Sequence, residues 1–392
     1  MTKLMMGLFM KNLNPENQRS SLGQRSGVVG IVCNIFLFLA KLLAGALVGS
    51  VSIMADAMNN LTDATSSIVT LLGFKMAEKP ADADHPYGHA RFEYLSGLAV
   101  AALIVVIGVE LAKSSFDKIL HPEAVAFGWL TVVILSLSIL VKLGLWKLNK
   151  ELSETIHSTA LAATAQDSRN DAIATFAVLV AGVVEYFTET AIDGWMGMAV
   201  ALFILYSGVM TAKETISPLL GESASPELRE CIVDYVRQQP KVLGYHDLMV
   251  HDYGPGQRFA TLHVEMDNRE DPLLCHELID DMERECYQNH GIHLVIHYDP
   301  VITDDPELNR LRLSCEELLA VLDKRLHLHD FRMVQGQTHT NLIFDVALPQ
   351  DMTGRESEIT AHLEGNLSRQ ENKRIYTVIT FDPEAFNLPV TE

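Results

Sequence analysis

The chain has 392 residues, 48% of them hydrophobic, and its 50 acidic side chains outnumber its 30 basic ones, giving a formal net charge of −20. The charge is unevenly distributed: residues 1–220 hold 15 Lys and Arg against 18 Asp and Glu, whereas the remainder holds 15 against 32. This division indicates a membrane domain followed by an acidic soluble domain, and it argues against a basic nucleic-acid-binding protein. Five cysteines without paired spacing exclude a disulfide framework and a cysteine-type zinc site.

Six apolar segments in residues 1–220 each approach the ~20 residues that a membrane-spanning helix needs. They are Gly27 to Val48, Ser52 to Met76, Leu95 to Ala112, Phe127 to Trp146, Ala172 to Phe187 and Trp195 to Ala212. The fifth segment reaches this length only if the polar residues from Thr164 onward belong to the same helix. We therefore expect residues 1–220 to form an all-α membrane domain of six helices.

Basic residues predict the orientation of these spans, because cytoplasmic loops carry an excess of Lys and Arg. One side of the membrane receives most of them, before the first span, around the second loop and after the fourth span. These residues are Lys3, Lys11, Arg19, Arg25, Lys75, Lys79, Arg91, Lys142, Lys147 and Lys150, against Lys113 and Lys118 on the other side. Both termini are therefore predicted to be cytoplasmic, in a multi-pass protein of the cell membrane.

Ionisable side chains within the spans are candidates for a functional site, because a charge at bilayer depth is costly. Asn59 and Asp63 are four residues apart in the second segment, and Asp167 and Asp171 repeat this spacing in the fifth. Residues four apart lie on one helix face, so two such helices can direct four oxygen atoms at one small cation. The alternative is that the carboxylates only hold helices together through hydrogen bonds, or pair with Arg169 and Lys41.

The same residues belong to an ordered set of motifs along the chain. The set comprises Ser52-Ile53-Met54-Ala55-Asp56-Ala57 running into Asn59 and Asp63, His85-Pro86-Tyr87-Gly88-His89, Asp167 and Asp171, His246-Asp247-Leu248, His263 and Val295-Ile296-His297-Tyr298-Asp299-Pro300. With this set, the chain from about Ser20 to Pro300 resembles the cation diffusion facilitator family. The resemblance implies a homodimer that exports divalent metal cations across the lipid bilayer in exchange for protons. It also implies a transport site formed by Asn59, Asp63, Asp167 and Asp171.

The ligand types favour a harder cation than Zn²⁺. Zinc-transporting members of the family usually have His at the position of Asp167, often with His or Asp at that of Asn59, whereas both positions here offer only oxygen. Carboxylate and carbonyl oxygens suit Mn²⁺, Mg²⁺ and Ca²⁺, and imidazole suits Zn²⁺. The combination resembles the manganese-exporting branch, so the expected cargo is Mn²⁺, carried by alternating access. A zinc exporter, or one of broad specificity for Zn²⁺, Fe²⁺, Cd²⁺ and Co²⁺, is the alternative.

A second cation site is predicted in the loop after the second span. Asp82, His85 and His89 are spaced three and four residues apart, and the resemblance implies a metal site at these positions. A solvated loop without metal is the alternative.

After Gly221 the sequence pattern changes to amphipathic helices over 226–239 and 272–288 and strands over 245–252, 258–267 and 292–298. This order predicts an α+β module, and the resemblance implies a ferredoxin-like dimerisation domain over residues 221–300. It also implies a site for Zn²⁺ or Mn²⁺ near the dimer interface. The implied ligands are His246, His263, His276, His297 and Asp299.

Residues 301–392 repeat this module. His329-Asp330-Phe331 follows His246-Asp247-Leu248 at a lag of 83 residues, and the segment from Val378 to Pro383 follows that from Val295 to Pro300 at the same lag. Such self-similarity predicts a second ferredoxin-like module that is degenerate. Thr380 stands where the first module has His297, which favours a structural or regulatory role over a second metal site.

Two functions of other classes are alternatives to transport. The segment His276-Glu277-Leu278-Ile279-Asp280 approaches the His-Glu-x-x-His motif of metalloproteases, but it ends in Asp and lies in the polar half of the chain. We therefore do not expect an enzyme or a prosthetic group. A membrane metal sensor that transports nothing would require the carboxylates within the spans to be purely structural.

Overall fold

The computed structural model describes residues 18–48, 51–121, 128–188, 192–336, 339–371 and 374–384. Lys3, Lys11 and Phe127, which entered the predictions of orientation and spans, lie outside these residues. The chain divides into two compact units. One comprises Met1–Glu222 and Tyr253–Pro255, and the other comprises Ser223–Asp252 and Gly256–Glu392.

The first unit contains long helices that follow the six predicted segments. They are α1 (Gln18–Val48), α2 (Val51–Ala77), α3 (Phe92–Leu120), α4 (Trp129–Ile156), α5 (Thr159–Thr188) and α6 (Asp193–Leu220). Within the described residues, five of them are long and apolar enough to cross a membrane, and α2 is not among the five. The middle of α2 is polar, with Asn59, Asn60 and Asp63 close together. Thr164 lies inside α5, so the polar lead-in of the fifth segment is helical.

Small residues allow these helices to pack closely. A Cβ atom added at Gly27 of α1 would lie 2.9 Å from the Cβ atom of Leu71 on α2, and one at Gly208 of α6 would lie 2.8 Å from Val105 on α3. Helix backbones can approach closely where side chains are this small, and membrane helices use that approach to gain van der Waals contact. Helices α1 and α2, α3 and α6, and α4 and α5 form the extensively packed pairs of this unit.

The second unit contains two modules with the same order of elements. The first has α7 (Pro226–Arg237), β1 (Gly244–Asp252), β2 (Arg258–Asp267), α8 (Pro272–His290) and β3 (Ile292–Val301); the second has α9 (Pro306–Leu322), β4 (His327–Gln335), β5 (His339–Leu348), α10 (Glu356–Glu371) and β6 (Arg374–Pro383). In each sheet the middle strand pairs antiparallel with the strand before it and parallel with the strand after it. The repeat at a lag of 83 residues therefore corresponds to a repeat of structure.

Local sequence explains where the helices of this unit begin. Ser225, Asp271 and Asp305 each precede a proline, and each side chain accepts a hydrogen bond from a backbone N–H of the first turn. The hydroxyl or carboxylate satisfies a donor that has no partner within the helix, and proline at the first helical position loses no hydrogen bond. Helices α7, α8 and α9 consequently start at Pro226, Pro272 and Pro306.

Each sheet has one face against a hydrophobic core and one face that carries polar side chains. Along β2, Ala260, Leu262 and Val264 are buried in the core of the first module, and the intervening residues are only partly buried. Successive side chains of a strand point to opposite faces, so His263 lies on the face away from this core. The corresponding core of the second module includes Leu342, Phe344 and Val346 of β5.

A β-bulge interrupts the first strand of each module at the same place. His246 pairs with His263 and Met249 with Thr261, so β1 has one more residue than β2 between these two pairs. Asp247 in this bulge has a positive φ of 52°. Strand β4 has the equivalent bulge after His329, with a φ of 51° at Asp330. A bulge changes the direction of neighbouring side chains, which matters for the sites described below.

Candidate metal-binding sites

Three of the four polar residues predicted from the spans are close together in the first unit. Asp63 of α2 and Asp167 of α5 are 6% and 5% exposed, and Asp171 follows one turn after Asp167. The three carboxylates are near enough to interact electrostatically with one another, and Ser66 forms a hydrogen bond with Asp167. Asn59, one turn before Asp63, is exposed.

Lys142 supplies a cation to this cluster that the sequence did not identify. Its Nζ atom donates hydrogen bonds to Asp63 Oδ2 at 2.7 Å and to Asp171 Oδ2 at 2.6 Å, and the residue is only 2% exposed. The prediction that Lys142 follows the fourth span was wrong, because it lies in the middle of α4. Of the two alternative partners considered for these carboxylates, Arg169 lies over the ring of Phe203, whereas Lys41 is buried and interacts electrostatically with Asp63.

The negative charges of this cluster outnumber its positive charges. Three ionised carboxylates and one ammonium group would leave a formal charge of −2, the sum of −3 and +1. A buried charge is strongly unfavourable unless an opposite charge or hydrogen bonds compensate it. Lys142 therefore compensates the cluster in part. The buried Lys41 also interacts electrostatically with Asp63, and including its charge leaves −1, the sum of −3 and +2, for a bound cation to compensate. We name Asp63, Lys142, Asp167 and Asp171 the membrane cluster.

The loop between α2 and α3 brings its three predicted ligands together. Asp82 Oδ1 lies 3.4 Å from His85 Nδ1, Asp82 Oδ2 lies 3.5 Å from His89 Nε2, and the two imidazole rings are 4.6 Å apart. Backbone N–H groups of Asp84 and His85 donate to Asp82 Oδ1. The bond from His85 is the main reason why the pKa of Asp82 lies below its ordinary value. One ligand atom from each side chain could contact the same cation.

In the first module, three histidines form a row across the sheet on the face away from its core. His246, His263 and His297 are paired in register on β1, β2 and β3. Asp299, two residues beyond His297, contacts all three: its Oδ2 lies 3.3 Å from His246 Nε2 and 2.9 Å from His263 Nδ1, and its Oδ1 lies 3.0 Å from His297 Nδ1. Three imidazoles and one carboxylate are a ligand set that suits Zn²⁺ and similar ions.

The environment of His246 keeps its ring neutral, as a metal ligand requires. Burial, together with the nearby His329, lowers the pKa of His246 to about 4. Its Nδ1 atom is buried without a hydrogen-bond partner. His276 behaves differently from the prediction: it is exposed on α8 and does not join the described cluster around Asp299. Within one chain, four of the five implied ligands are therefore brought together.

The second module contains the equivalent row in altered form. His329, Asp345 and Thr380 are paired in register on β4, β5 and β6, so the position equivalent to His263 is Asp345. Asp382 is equivalent to Asp299, and its Oδ2 atom lies 3.4 Å from His329 Nε2. The sequence prediction also overlooked Asp247, whose carboxylate lies near His246 and His263 and also near His329. Asp247 faces these histidines because it lies in the bulge of β1, and sequence periodicity alone does not reveal a bulge.

Comparison with known protein families gives matches to both units. Residues 27–220 match the family model described as "Cation efflux transmembrane domain", and residues 224–301 match the one described as "Cation efflux protein, cytoplasmic domain". The two matched segments contain the membrane cluster, the loop ligands and the histidine row of the first module. They end before the second module begins.

Curated relatives agree with these matches. "Uncharacterized transporter MJ0449" of Methanocaldococcus jannaschii is 31% identical over 239 residues, covering 61% of this chain and 84% of the relative. "Cation-efflux pump FieF" of Pectobacterium atrosepticum is 29% identical over 308 residues, covering 77% of this chain and 100% of the relative. "Cation-efflux pump FieF" of Serratia proteamaculans is 28% identical over 291 residues, covering 73% and 95%.

Proposed function

The chain belongs to the cation diffusion facilitator family of cation efflux transporters, and on that premise we propose that it exports Mn²⁺ from the cytoplasm in exchange for protons. It is a multi-pass membrane protein with a cytoplasmic C-terminal domain, and it is a transporter rather than an enzyme. The observation that carries the proposal is the ligand set in the helices: three carboxylates close together, with an amide one turn away and no imidazole.

In this proposal Asn59, Asp63, Asp167 and Asp171 bind the transported ion. Oxygen ligands suit Mn²⁺ better than Zn²⁺, and water molecules complete the coordination shell. The exposed Asn59 joins the three carboxylates when the helices repack around the ion. For α2 to contribute, it crosses the membrane as the second of six spans although its middle is polar. A bound cation compensates the buried carboxylates there.

Lys142 acts in this proposal as a resident cation that the metal must displace. Its ammonium group bonds to Asp63 and Asp171 at hydrogen-bond distance, so it occupies two of the proposed ligands. A divalent ion entering from the cytoplasm carries more charge and replaces the ammonium at these oxygens. When the ion leaves on the far side, Lys142 returns and prevents a large uncompensated charge in the membrane. The cluster is therefore compensated at each stage of the cycle.

Protons drive release because a carboxylate must be ionised to bind metal. When the cluster opens to the outside, protons moving down their gradient compete for the same oxygens and free the ion. Alternating access then returns the protonated site to the cytoplasmic side. The metal and the protons thus use one set of ligands at different times.

The remaining expectations are proposals of the same kind. Residues 1–220 form the transport domain, and residues 221–300 and 301–392 form two ferredoxin-like modules in a homodimer of the cell membrane. Two further sites bind resident metal. Their ligands are Asp82, His85 and His89 in the loop, and His246, His263, His297 and Asp299 in the first module, where Zn²⁺ or Mn²⁺ would be held by imidazole and carboxylate.

Reconstituted vesicles test the function directly. Purified protein in vesicles with an imposed pH gradient is expected to transport Mn²⁺ faster than Zn²⁺, with flux that disappears when a protonophore collapses the gradient. Protein-free vesicles are the control for leakage. Zn²⁺ flux without Mn²⁺ flux would contradict the selectivity and favour the zinc or broad-specificity exporter. No flux of either ion would contradict transport and favour the membrane metal sensor.

Exchanging oxygen for nitrogen ligands is expected to change the selectivity. Asn59→His combined with Asp167→His should raise the ratio of Zn²⁺ to Mn²⁺ flux by about tenfold or more, because imidazole suits Zn²⁺ better than carboxylate does. Asn59→Asp, which keeps an oxygen ligand, is the matched control and should retain the preference for Mn²⁺. The measurement is flux of both ions in parallel vesicle preparations. An unchanged ratio in the double variant would place selectivity outside these ligands.

A further inference from the structure

The two modules of the second unit meet through equivalent residues. His246 and His329 occupy the same position in their modules, and their rings lie 4.6 Å apart. The backbone N–H of Asp330, beside His329, hydrogen-bonds to the carboxylate of Glu265 on β2. Strands β3 and β4 also contact each other. The polar face of the first sheet is therefore partly covered by the first strand of the second module.

His329 is the buried centre of this contact. It is 8% exposed, and its Nε2 atom has no hydrogen-bond partner although it is buried. Two carboxylates from different modules lie nearby: Asp382 Oδ2 of β6 at 3.4 Å and Asp247 Oδ1 of β1 at 3.9 Å. A buried ring nitrogen that faces two carboxylates has the surroundings of a metal ligand.

We propose that Asp247, His329 and Asp382 bind one divalent cation that bridges the two modules. Their ligand atoms all lie within 4.8 Å of one another. Two ligands at ~2.1 Å from one ion are at most ~4.2 Å apart, so small side-chain movements bring all three atoms into contact with one ion. One imidazole and two carboxylates suit Mn²⁺, Fe²⁺, Co²⁺ or Zn²⁺, with water in the remaining positions. We name these three residues the bridging site. It goes beyond the proposed transport function, which does not depend on it.

Crowding of negative charge supports this assignment. Burial raises the pKa of Asp382, and the neighbouring carboxylates of Asp247 and Asp345 raise it further. Like charges gathered around a buried position are unfavourable, and a bound cation would remove this cost. The second module has Thr380 at the position of His297, so its own row offers one ligand fewer. Asp247 of the first module supplies a further ligand. Both modules are thus needed to complete the site.

The bridging site is centred on residues outside the histidine row, although Asp247 also lies near His246 and His263. His263, His297 and Asp299 lie together on β2 and β3, whereas two of the three bridging ligands belong to the second module. The matched cytoplasmic family domain ends at residue 301, so His329 and Asp382 lie outside it. A protein with the family domain alone would keep the histidine row and would lack the bridging site.

The stoichiometry of metal binding to the whole chain tests the proposal. Purified protein in detergent is stripped with a chelator, titrated with Co²⁺ and, separately, Mn²⁺, and analysed for bound metal after gel filtration. Asp382→Asn and Asp247→Asn are each expected to lose one equivalent of metal per chain. The double variant should lose no more than either single variant, because both residues bind the same ion. His327→Gln, an exposed histidine on the same strand as His329, is the matched control and should bind as much metal as the unaltered chain.

The Co²⁺ spectrum adds a signal that a purely structural role would not change. The visible absorption expected of the Co²⁺-loaded unaltered protein should lose the same component in both single variants, because the ligand environment of one ion is removed. Thermal unfolding of the metal-free proteins controls for folding. Unaltered stoichiometry and spectrum in folded Asp382→Asn would overturn the proposal. So would the loss of two equivalents in the double variant, because that result would assign Asp247 and Asp382 to different ions.

Discussion

Replacing Asp171 with asparagine is expected to reduce Mn²⁺ flux by about 100-fold or more, because it removes one of three carboxylates from the proposed transport site. Asparagine has nearly the same shape, so helix packing is retained. Its amide oxygen carries no charge and cannot take up and release a proton, so the substitution removes both a negative charge that holds the metal and a site for proton competition. The loss should therefore appear in flux at every pH, measured in vesicles with an imposed gradient.

Asp117→Asn is the matched control for this variant. Asp117 is an exposed aspartate on α3 that contacts His121 and lies outside the membrane cluster. Its substitution should leave flux unchanged within about twofold, the range expected of a surface change. Gel filtration and metal binding at the cytoplasmic sites verify that Asp171→Asn is folded. Normal transport by folded Asp171→Asn would contradict the assignment of this residue as a ligand.

Replacing Lys142 with methionine is expected to strengthen metal binding and slow transport. The ammonium group competes with the metal for Asp63 and Asp171, so its removal should lower the Kd for Mn²⁺ by about tenfold or more, given the strength of close charge pairs in proteins. Release on the far side then becomes slower, and maximal flux should fall. Equilibrium binding and vesicle flux, measured on the same preparation, separate the two effects.

Lys147→Met controls for the loss of a positive charge from the same helix. Lys147 is exposed and forms a weak contact with Glu151 one turn away, so its removal should affect neither Kd nor flux. Removing one partner of a buried ion pair can destabilise a protein, and a low yield of Lys142→Met would be a sign of this. The double variant Lys142→Met with Asp171→Asn should then recover folded yield but not transport. Unchanged Kd and flux in Lys142→Met would show that the lysine is only structural.

Sequence periodicity predicted most elements of the second unit because their burial follows simple periods. Strand β2 was predicted with the bounds observed, and helix α8 extends only two residues beyond the prediction. The strand around His329 was anticipated only through the repeat, since its residues do not alternate cleanly. The bulges of β1 and β4 were missed because one inserted residue leaves no distinct composition.

The sites were predictable to different degrees for related reasons. Spacings of three and four residues within a helix or loop brought Asp82, His85 and His89 together as expected, because such contacts are local. The contact of Lys142 with Asp63 joins residues 79 positions apart, and no local pattern encodes it. Lysines near the end of a span are usually interfacial, and this general tendency suggested the wrong location for Lys142. A similarly long separation hid the contact of His329 with Asp247, which are 82 positions apart.

The internal repeat has a consequence for assembly. Because His329 covers His246 from within the chain, that patch of the first module is already occupied and is closed to a neighbouring subunit. The proposed homodimer would consequently use other surfaces of the first module, or surfaces of the second. Truncation after residue 301 would uncover His246, which is 5% exposed in the whole chain, and would leave an exposed patch of imidazole side chains. The second module therefore acts as a covalently attached partner that limits which contacts between subunits are available.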